Sequence, residues 1–87
     1  MADTDAVGAD TPEKVLTFIA NSLVDDQSGV EIDADHGDGR VDLRLSVNED
    51  DMGRVIGRRG RNAQAIRTVV RAAGARAGIE ASVDIVD

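Results

Sequence analysis

The hydrophobic pattern becomes regular at residue 11 and first predicts an α-helix. Across residues 15–24, apolar side chains recur every three or four positions, which is the spacing of one buried helix face. Thr11 is a suitable N-cap, and Pro12 fits the first helical position because no backbone N–H is needed there. We expect this helix to end near residues 25–26 and to place Phe18 in the core.

The next two segments alternate apolar and polar side chains with the period of a β-strand. They cover residues 30–35 and 40–48, and Gly37-Asp38-Gly39 lies between them. Glycine beside aspartate favours a tight turn, so the two segments predict a β-hairpin with one apolar and one polar face. Residues 79–85 alternate in the same way and predict a third strand.

Helical spacing returns between the second and third predicted strands. Asn48 is a good N-cap for a short helix, and the carboxylates of residues 49–51 suit the positive end of its dipole. A longer helix is predicted from Asn62 to Ala77, with Gly78 as its C-terminal stop. The predicted buried face of the short helix is Met52, Val55 and Ile56, and the periodic apolar face of the long one is Ala63, Ile66, Val69, Val70, Ala73 and Ala77.

Together these elements predict an α+β fold with the order αββααβ. The two-helix connection allows the third strand to lie parallel to the second, with a right-handed crossover. We therefore expect a three-stranded mixed sheet with all three helices on one face and a polar opposite face. Residues 11–87 are expected to form this one domain, and the acidic, non-periodic residues 1–10 are expected to be disordered.

Length and composition favour a binding surface over an enclosed active site. A chain of 87 residues buries only about 60–65% of its unfolded surface and has little room for a large cavity. It has no cysteine, which excludes disulfides and thiolate metal sites and suits the cytoplasm. Because the N-terminal residues are acidic and the apolar runs are short, neither a signal peptide nor a spanning helix is expected.

The distribution of charge is more informative than the net charge of −7. Residues 1–52 carry fourteen acidic and three basic side chains, whereas residues 53–77 carry seven arginines and no acid. An acidic protein repels phosphate, but a concentrated basic segment is typical of a polyanion site. The acidic remainder is interpreted either as an ordinary solvated surface or as a means of steering a ligand to the basic segment.

The basic segment is built around the sequence Val55-Ile56-Gly57-Arg58-Arg59-Gly60-Arg61. Two glycines three residues apart allow a tight turn that another backbone can approach, and N–H groups at the start of the following helix are anion donors. The arginines add charge and forked donors that match phosphate. The alternative is a helix–helix turn with solvated arginines. Arg61, Arg67 and Arg71 do not share one helix edge, and Arg71 and Arg76 are interpreted as solvated.

The order of elements and the glycine turn together resemble a KH domain of the type II arrangement. The sequence GRRGRNAQAIRTVVRA, residues 57–72, is similar to that of the small single-domain bacterial RNA-binding KH proteins, the KhpA family. The resemblance covers about residues 12–86. It implies non-enzymatic binding of single-stranded RNA, as an RNA chaperone or post-transcriptional regulator, without a cofactor or metal. It also implies a homodimer and a second, larger KH-domain protein as partner.

The resemblance also implies a binding site. The turn from Gly57 to Gly60 would clamp the sugar–phosphate backbone of about four unpaired nucleotides, and their bases would lie in a groove walled by two helices and the central strand. Many KH loops have lysine between the glycines, where this chain has Arg58 and Arg59. Ala63 stands where eukaryotic members often have a larger aliphatic residue, and this smaller side chain predicts a shallower groove. The RNA-binding residues so implied are Arg54, Val55, Ile56, Gly57, Arg58, Arg59, Gly60, Arg61, Ala63, Ile66 and Arg67.

Other binding motifs fit the chain poorly. A P-loop needs lysine followed by serine or threonine after its glycines, and the chain has no such pair. An EF-hand loop starting at Asp33 would place Arg44 where the bidentate glutamate belongs, so the acidic segment predicts a hairpin turn. The only histidine, His36, lies in that turn, which argues against a catalytic triad.

Two functions remain open from the sequence. RRM and OB-fold modules stack bases on exposed aromatic side chains, and the only aromatic residue of this chain is assigned to the core. An aliphatic groove with a glycine clamp is therefore the favoured mode of binding single-stranded RNA. The alternative is a protein-interaction module, in which the fold serves for dimerisation or the arginines bind an acidic partner.

Overall fold

A computed structural model describes residues 11–86 of the chain, so the disorder predicted for residues 1–10 lies outside the described residues. The helices are α1 (Thr11–Leu23), α2 (Glu49–Ile56) and α3 (Arg61–Arg76), and the strands are β1 (Glu31–Gly37), β2 (Arg40–Ser46) and β3 (Glu80–Ile85). Short 3₁₀ turns occupy Gln27–Gly29 and Arg58–Gly60. The predicted order αββααβ and the α+β class are confirmed.

The three strands form one mixed sheet in the order β1-β2-β3. β1 and β2 are antiparallel, and the pair Gly37 and Arg40 closes a two-residue turn in which Gly39 has a φ of 72°. A positive φ at this position is the reason for glycine in such hairpins. β3 lies parallel to β2, as the two-helix connection predicted. The central strand ends at Ser46, two residues earlier than expected.

The core lies between the helices and one face of the sheet. Alternate residues of β2, which are Val41, Leu43 and Leu45, are completely buried. The helices contribute Leu16, Ala20, Val55, Ile66 and Val70, and β3 contributes Ala81 and Val83. The opposite face of the sheet is polar, as predicted, and Ser82 Oγ donates to Asp42 Oδ1 at 2.7 Å on it. The sheet therefore separates a helical layer from an uncovered polar surface.

Three apolar residues predicted to be buried are exposed. Phe18 is 73% exposed, Val69 46% and Ile56 37%, so their assignment to the buried faces was wrong. The buried side of α1 is centred on Leu16 and Ala20, and Phe18 lies two residues from Leu16, which is about 200° around the helix. On α3 the buried residues are Ala63, Ile66, Val70 and Gly74, and this narrower stripe leaves Val69 at its border.

The C-terminal end of α3 confirms the predicted glycine stop. Gly78 has a φ of 74°, and its N–H donates to the carbonyl of Ala75 at 3.0 Å. The N–H of Ile79 donates to the carbonyl of Gly74 at 2.8 Å, which completes a Schellman motif. Gly74 also allows close packing, because an added Cβ would lie 2.8 Å from the Cβ of Ala81. α3 is thereby held directly over β3.

Candidate nucleic-acid interface

The start of α2 is attached to the end of α1 by a buried carboxylate that sequence reasoning did not single out. Asp51 is 3% exposed, and its two carboxylate oxygens accept the backbone N–H groups of Asp25 at 3.0 Å and Asp26 at 3.3 Å. Asn48 occupies the predicted N-cap position but makes no cap hydrogen bond, since its amide donates to Asp26 Oδ2 at 2.8 Å. These bonds end α1 earlier than predicted and fix the direction in which α2 leaves the sheet.

Arg54, one of the predicted RNA-binding arginines, is paired within the protein. Its guanidinium lies 2.6 Å from the carboxylate of Asp25, and about half of each side chain or more is exposed. The hydrogen bond to Asp25, together with its negative charge, raises the pKa of Arg54. Arg54 therefore extends the attachment of α2 to α1, and a phosphate would have to compete with Asp25 for it.

The turn between α2 and α3 has the backbone that its glycines require. Gly57 has φ 77° and ψ 172°, Gly60 has φ 76° and ψ 14°, and Arg59 between them also has a positive φ of 59°. The first conformation is one that essentially only glycine adopts, whereas the second is the left-handed region. The turn leads straight into the N-terminus of the sixteen-residue α3, where the helix dipole favours an anion.

The arginines of the turn are exposed on its surface. Arg58, Arg59 and Arg61 are all solvent-exposed, and no ion pair among the described residues involves them. In contrast to Arg54, their guanidinium groups are available to a phosphate. Three positive charges that no carboxylate of residues 11–86 pairs with thus surround one backbone turn.

The aliphatic residues expected to line the groove are mostly buried. Val55 is fully buried, Ile66 is 2% exposed and Ala63 is 6% exposed, whereas Ile56 is 37% exposed. In this conformation α2 and α3 pack three of them into the core, and the contact of bases with all four stays a prediction. These three support the site from beneath, and only Ile56 offers apolar surface to a base.

Arg67, which helical spacing alone would place on the outward face of α3, contacts the edge of the sheet instead of open solvent. It is half-buried, and its Nε donates to the carbonyl of Val83 at 3.3 Å. The N–H of Val86 donates to the carbonyl of Leu45 in β2. Because backbone groups alternate direction along a strand, the N–H and C=O groups of Val83 lie on the other, uncovered edge of β3. Arg67 therefore contacts the free backbone edge of β3, while the helix-facing side chains of the central strand are buried.

A second apolar feature lies on the other flank of α3. A groove of about 200 Å³ runs between α1 and α3 and is lined by Ile19, Leu23, Asn62, Ala65, Ile66 and Val69, and we call it the α1–α3 groove. Nothing in the hydrophobic pattern predicted it. The groove exists because the apolar residues that border the buried face of each helix are not fully covered by the other helix.

The αββααβ order, the mixed sheet and the glycine turn between two helices define the protein as a KH-domain protein. The family model described as KhpA/KhpB, KH domain matches residues 13–85, and the chain belongs to this family. The resemblance inferred from the glycine turn is thus confirmed, as is the assignment to a non-enzymatic class.

The chain is also similar to several proteins called RNA-binding protein KhpA. That of Caldanaerobacter subterraneus is 44% identical over 73 residues, covering 84% of this chain and 97% of the relative. That of Bacillus subtilis is 39% identical over 75 residues, covering 86% and 93%, and that of Clostridium perfringens is 40% identical over 74 residues, covering 85% and 99%. No solved structure shows a significant match.

None of the three helices within residues 11–86 has the length and apolarity needed to cross a bilayer. Within the same residues, histidine, aspartate and glutamate form no group of three or more arranged to hold a metal ion. The acidic segment around Asp38 is a hairpin turn, as its sequence predicted.

Proposed function

We propose that the protein binds single-stranded RNA in the cytoplasm and acts as an RNA chaperone or post-transcriptional regulator. The observation that carries the proposal is the exposed turn Gly57–Gly60, with a positive φ at three of its four residues and unpaired arginines around it. A turn of this kind lets a phosphate approach the backbone closely, and arginine supplies matching donors. The name RNA-binding protein, carried by relatives about 40% identical, supports the same conclusion.

In this proposal the turn binds the sugar–phosphate backbone, and the bases lie between Ile56 and the edge of β3. The uncovered N–H and C=O groups of β3 are suitable hydrogen-bonding partners for bases, whose polar edges alternate donors and acceptors. Arg67 adds positive charge beside that edge through its contact with Val83. Since little aliphatic surface is exposed, we expect binding with weak base preference.

The RNA proposal is tested by fluorescence anisotropy with a short labelled single-stranded RNA over a series of salt concentrations. Contact with about three phosphates predicts a slope near −2 for log affinity against log salt. Double-stranded RNA of the same sequence is the control and should bind less tightly. Absence of binding at low salt, or affinity that does not change with salt, would remove RNA binding from consideration. Binding of an acidic peptide but not of RNA would favour the protein-docking alternative.

A second proposed property is self-association, or pairing with a larger KH-domain protein, through the α1–α3 groove. The groove is apolar and the exposed Val69 is part of its lining, so the flank opposite Arg67 carries uncovered apolar surface. An interface there would leave the glycine turn free for RNA. Its modest size predicts a weak association, because stable interfaces bury on the order of 1,200 Å² or more.

Sedimentation velocity over a range of protein concentrations tests self-association. We expect concentration-dependent sedimentation of the wild type, lost when Val69 in the groove is replaced by serine. The matched control is Val86→Ser, which makes the same change at a side chain of similar exposure (39% against 46% for Val69) outside the groove and should leave sedimentation unchanged. A strictly monomeric wild type at high concentration would exclude the homodimer, and unchanged sedimentation of Val69→Ser would place the interface elsewhere.

A further inference from the structure

A single side chain, that of Asn62, links the two helices that flank the glycine turn. Its amide nitrogen Nδ2 donates to the carbonyl oxygen of Arg54 at 2.6 Å, which joins the second residue of α3 to the last turn of α2. The two partners lie eight positions apart in the chain, and the residues between them include the whole of the turn. One hydrogen bond therefore spans the candidate phosphate site from one helix to the other.

The carbonyl of Arg54 needs a partner from outside its own helix. It is one of the last four carbonyls of α2, which have no N–H group ahead of them within the helix. The carbonyl of Gly53 receives the N–H of Gly57 at 2.8 Å, and the next one, that of Arg54, receives Asn62. Since a carbonyl only accepts, the amide of Asn62 must act as the donor.

Asn62 also packs against the first glycine of the turn. A Cβ on Gly57 would lie 2.7 Å from Cγ of Asn62 and 2.8 Å from its backbone nitrogen. At Gly60 a Cβ would meet nothing within 4 Å. The turn is thus held at its first glycine and open at its second, which is the side on which a phosphate can approach.

The orientation of this side chain distinguishes it from an ordinary helix cap. A capping asparagine accepts an N–H of its own helix through its side-chain oxygen. Asn62 instead donates to the preceding helix, so its bond contributes to the angle between α2 and α3 and to the backbone between them.

From these contacts we infer that Asn62 is a positioning residue that holds the turn Gly57–Gly60 in its phosphate-binding conformation. This inference rests on the proposed RNA binding. Without the bond the turn samples other conformations, and RNA must order it on binding, which lowers affinity. The arginines that contact phosphate are unchanged, so the salt dependence of binding stays the same.

The test compares Asn62→Ala with a matched control, Gln27→Ala. Gln27 makes the same kind of bond, from a side-chain amide to the carbonyl of Asn21 at 3.3 Å, but beyond the end of α1. We expect Asn62→Ala to bind the labelled single-stranded RNA about five- to tenfold more weakly, the usual worth of one hydrogen bond, with an unchanged salt slope. Gln27→Ala should bind as the wild type does. Equal RNA affinity of Asn62→Ala and wild type would overturn the inference.

A second measurement needs no RNA. The amide protons of Gly57 and Gly60 are bonded to the carbonyls of Gly53 and Gly57, and their exchange with solvent reports opening of the turn. We expect several-fold faster exchange in Asn62→Ala and also in Asn62→Asp, which keeps the shape but has no donor. Because a carboxylate near a helix N-terminus is stabilising, Asn62→Asp should unfold at no lower a temperature than Asn62→Ala.

These two measurements separate the possible failures. If wild-type protein binds no RNA, the proposed function fails, and amide exchange still decides whether Asn62 holds the turn. Unchanged exchange at Gly57 and Gly60 in both variants would overturn the positioning role. If Asn62→Ala does not fold, Asn62→Asp carries the test, and failure of both to fold would show that Asn62 supports the whole domain and does not act on the turn alone.

Discussion

Substitution of Gly57 and of Gly60 should destabilise the fold to different extents, although the sequence alone gives no reason to distinguish them. Gly60 lies in the left-handed region with open space around it, so alanine there should cost only about 1 to 2 kcal/mol. Gly57 has a conformation that costs other residues up to about 3 kcal/mol, and a Cβ would also press on the backbone of Asn62. We expect Gly57→Ala to lower the unfolding temperature by at least twice as much as Gly60→Ala.

Gly60 is therefore the position at which charge can be tested without disturbing the fold. Asparagine and aspartate have the same shape and both tolerate a positive φ, so Gly60→Asn is the matched control for Gly60→Asp. Repulsion between the carboxylate and a phosphate about 4 to 6 Å away should weaken binding by about 1 to 3 kcal/mol. This corresponds to a loss of roughly 5- to 150-fold in RNA affinity relative to Gly60→Asn.

The assay is the anisotropy titration of one labelled single-stranded RNA against both variants, with circular dichroism recorded on each. The difference between the two should shrink as salt is added, since screening weakens repulsion between exposed charges. If both variants are folded and bind RNA equally well at low salt, no phosphate approaches Gly60. The turn would then be only a helix connection, and the proposed binding site would be refuted.

Three further predictions concern other parts of the site. Replacing Arg58 and Arg59 by alanine should weaken binding to all RNA sequences alike and flatten the log–log salt slope by about 0.7 per lost phosphate contact; sequence-dependent losses would contradict this. Asp51→Ala should destabilise the fold by about 2 to 4 kcal/mol in urea unfolding, because two backbone N–H groups lose their buried carboxylate acceptor, and a loss under 0.5 kcal/mol would contradict this. Hydrogen bonds from Ser28 hold the pKa of Asp26 below its ordinary value of 3.8, so the unfolded state takes up the proton first as pH falls. The contribution of the Asp26 carboxylate to the free energy of unfolding is therefore complete above about pH 5 and is lost below its folded pKa. Asp26→Asn should reduce the loss of stability at acid pH, and an unchanged loss would refute this role of Asp26.

Much of the fold could be predicted because it depends on neighbours along the chain. The alternation in β2 and the tight turn at Gly39 predicted the hairpin, and Gly78 predicted the end of α3, as the structure confirms. Helical burial was less predictable when an amphipathic helix had more apolar residues than one face can bury. Phe18 is an example, since α1 had a sufficient buried face without it.

The sequence by itself determined the order of elements, the turn and the basic segment around it, because periodicity, backbone preference and charge are properties of short stretches. Only the tertiary structure decided which of those arginines are free. Arg54 is neutralised by Asp25, and Arg67 is drawn to Val83, through contacts between residues far apart in the chain. Asp51 and Asn62 acquire their roles in the same way. The partner of Asn62 is a carbonyl left unpaired at the end of α2, and the partners of Asp51 are N–H groups in the loop after α1; both come within reach only when the helices pack.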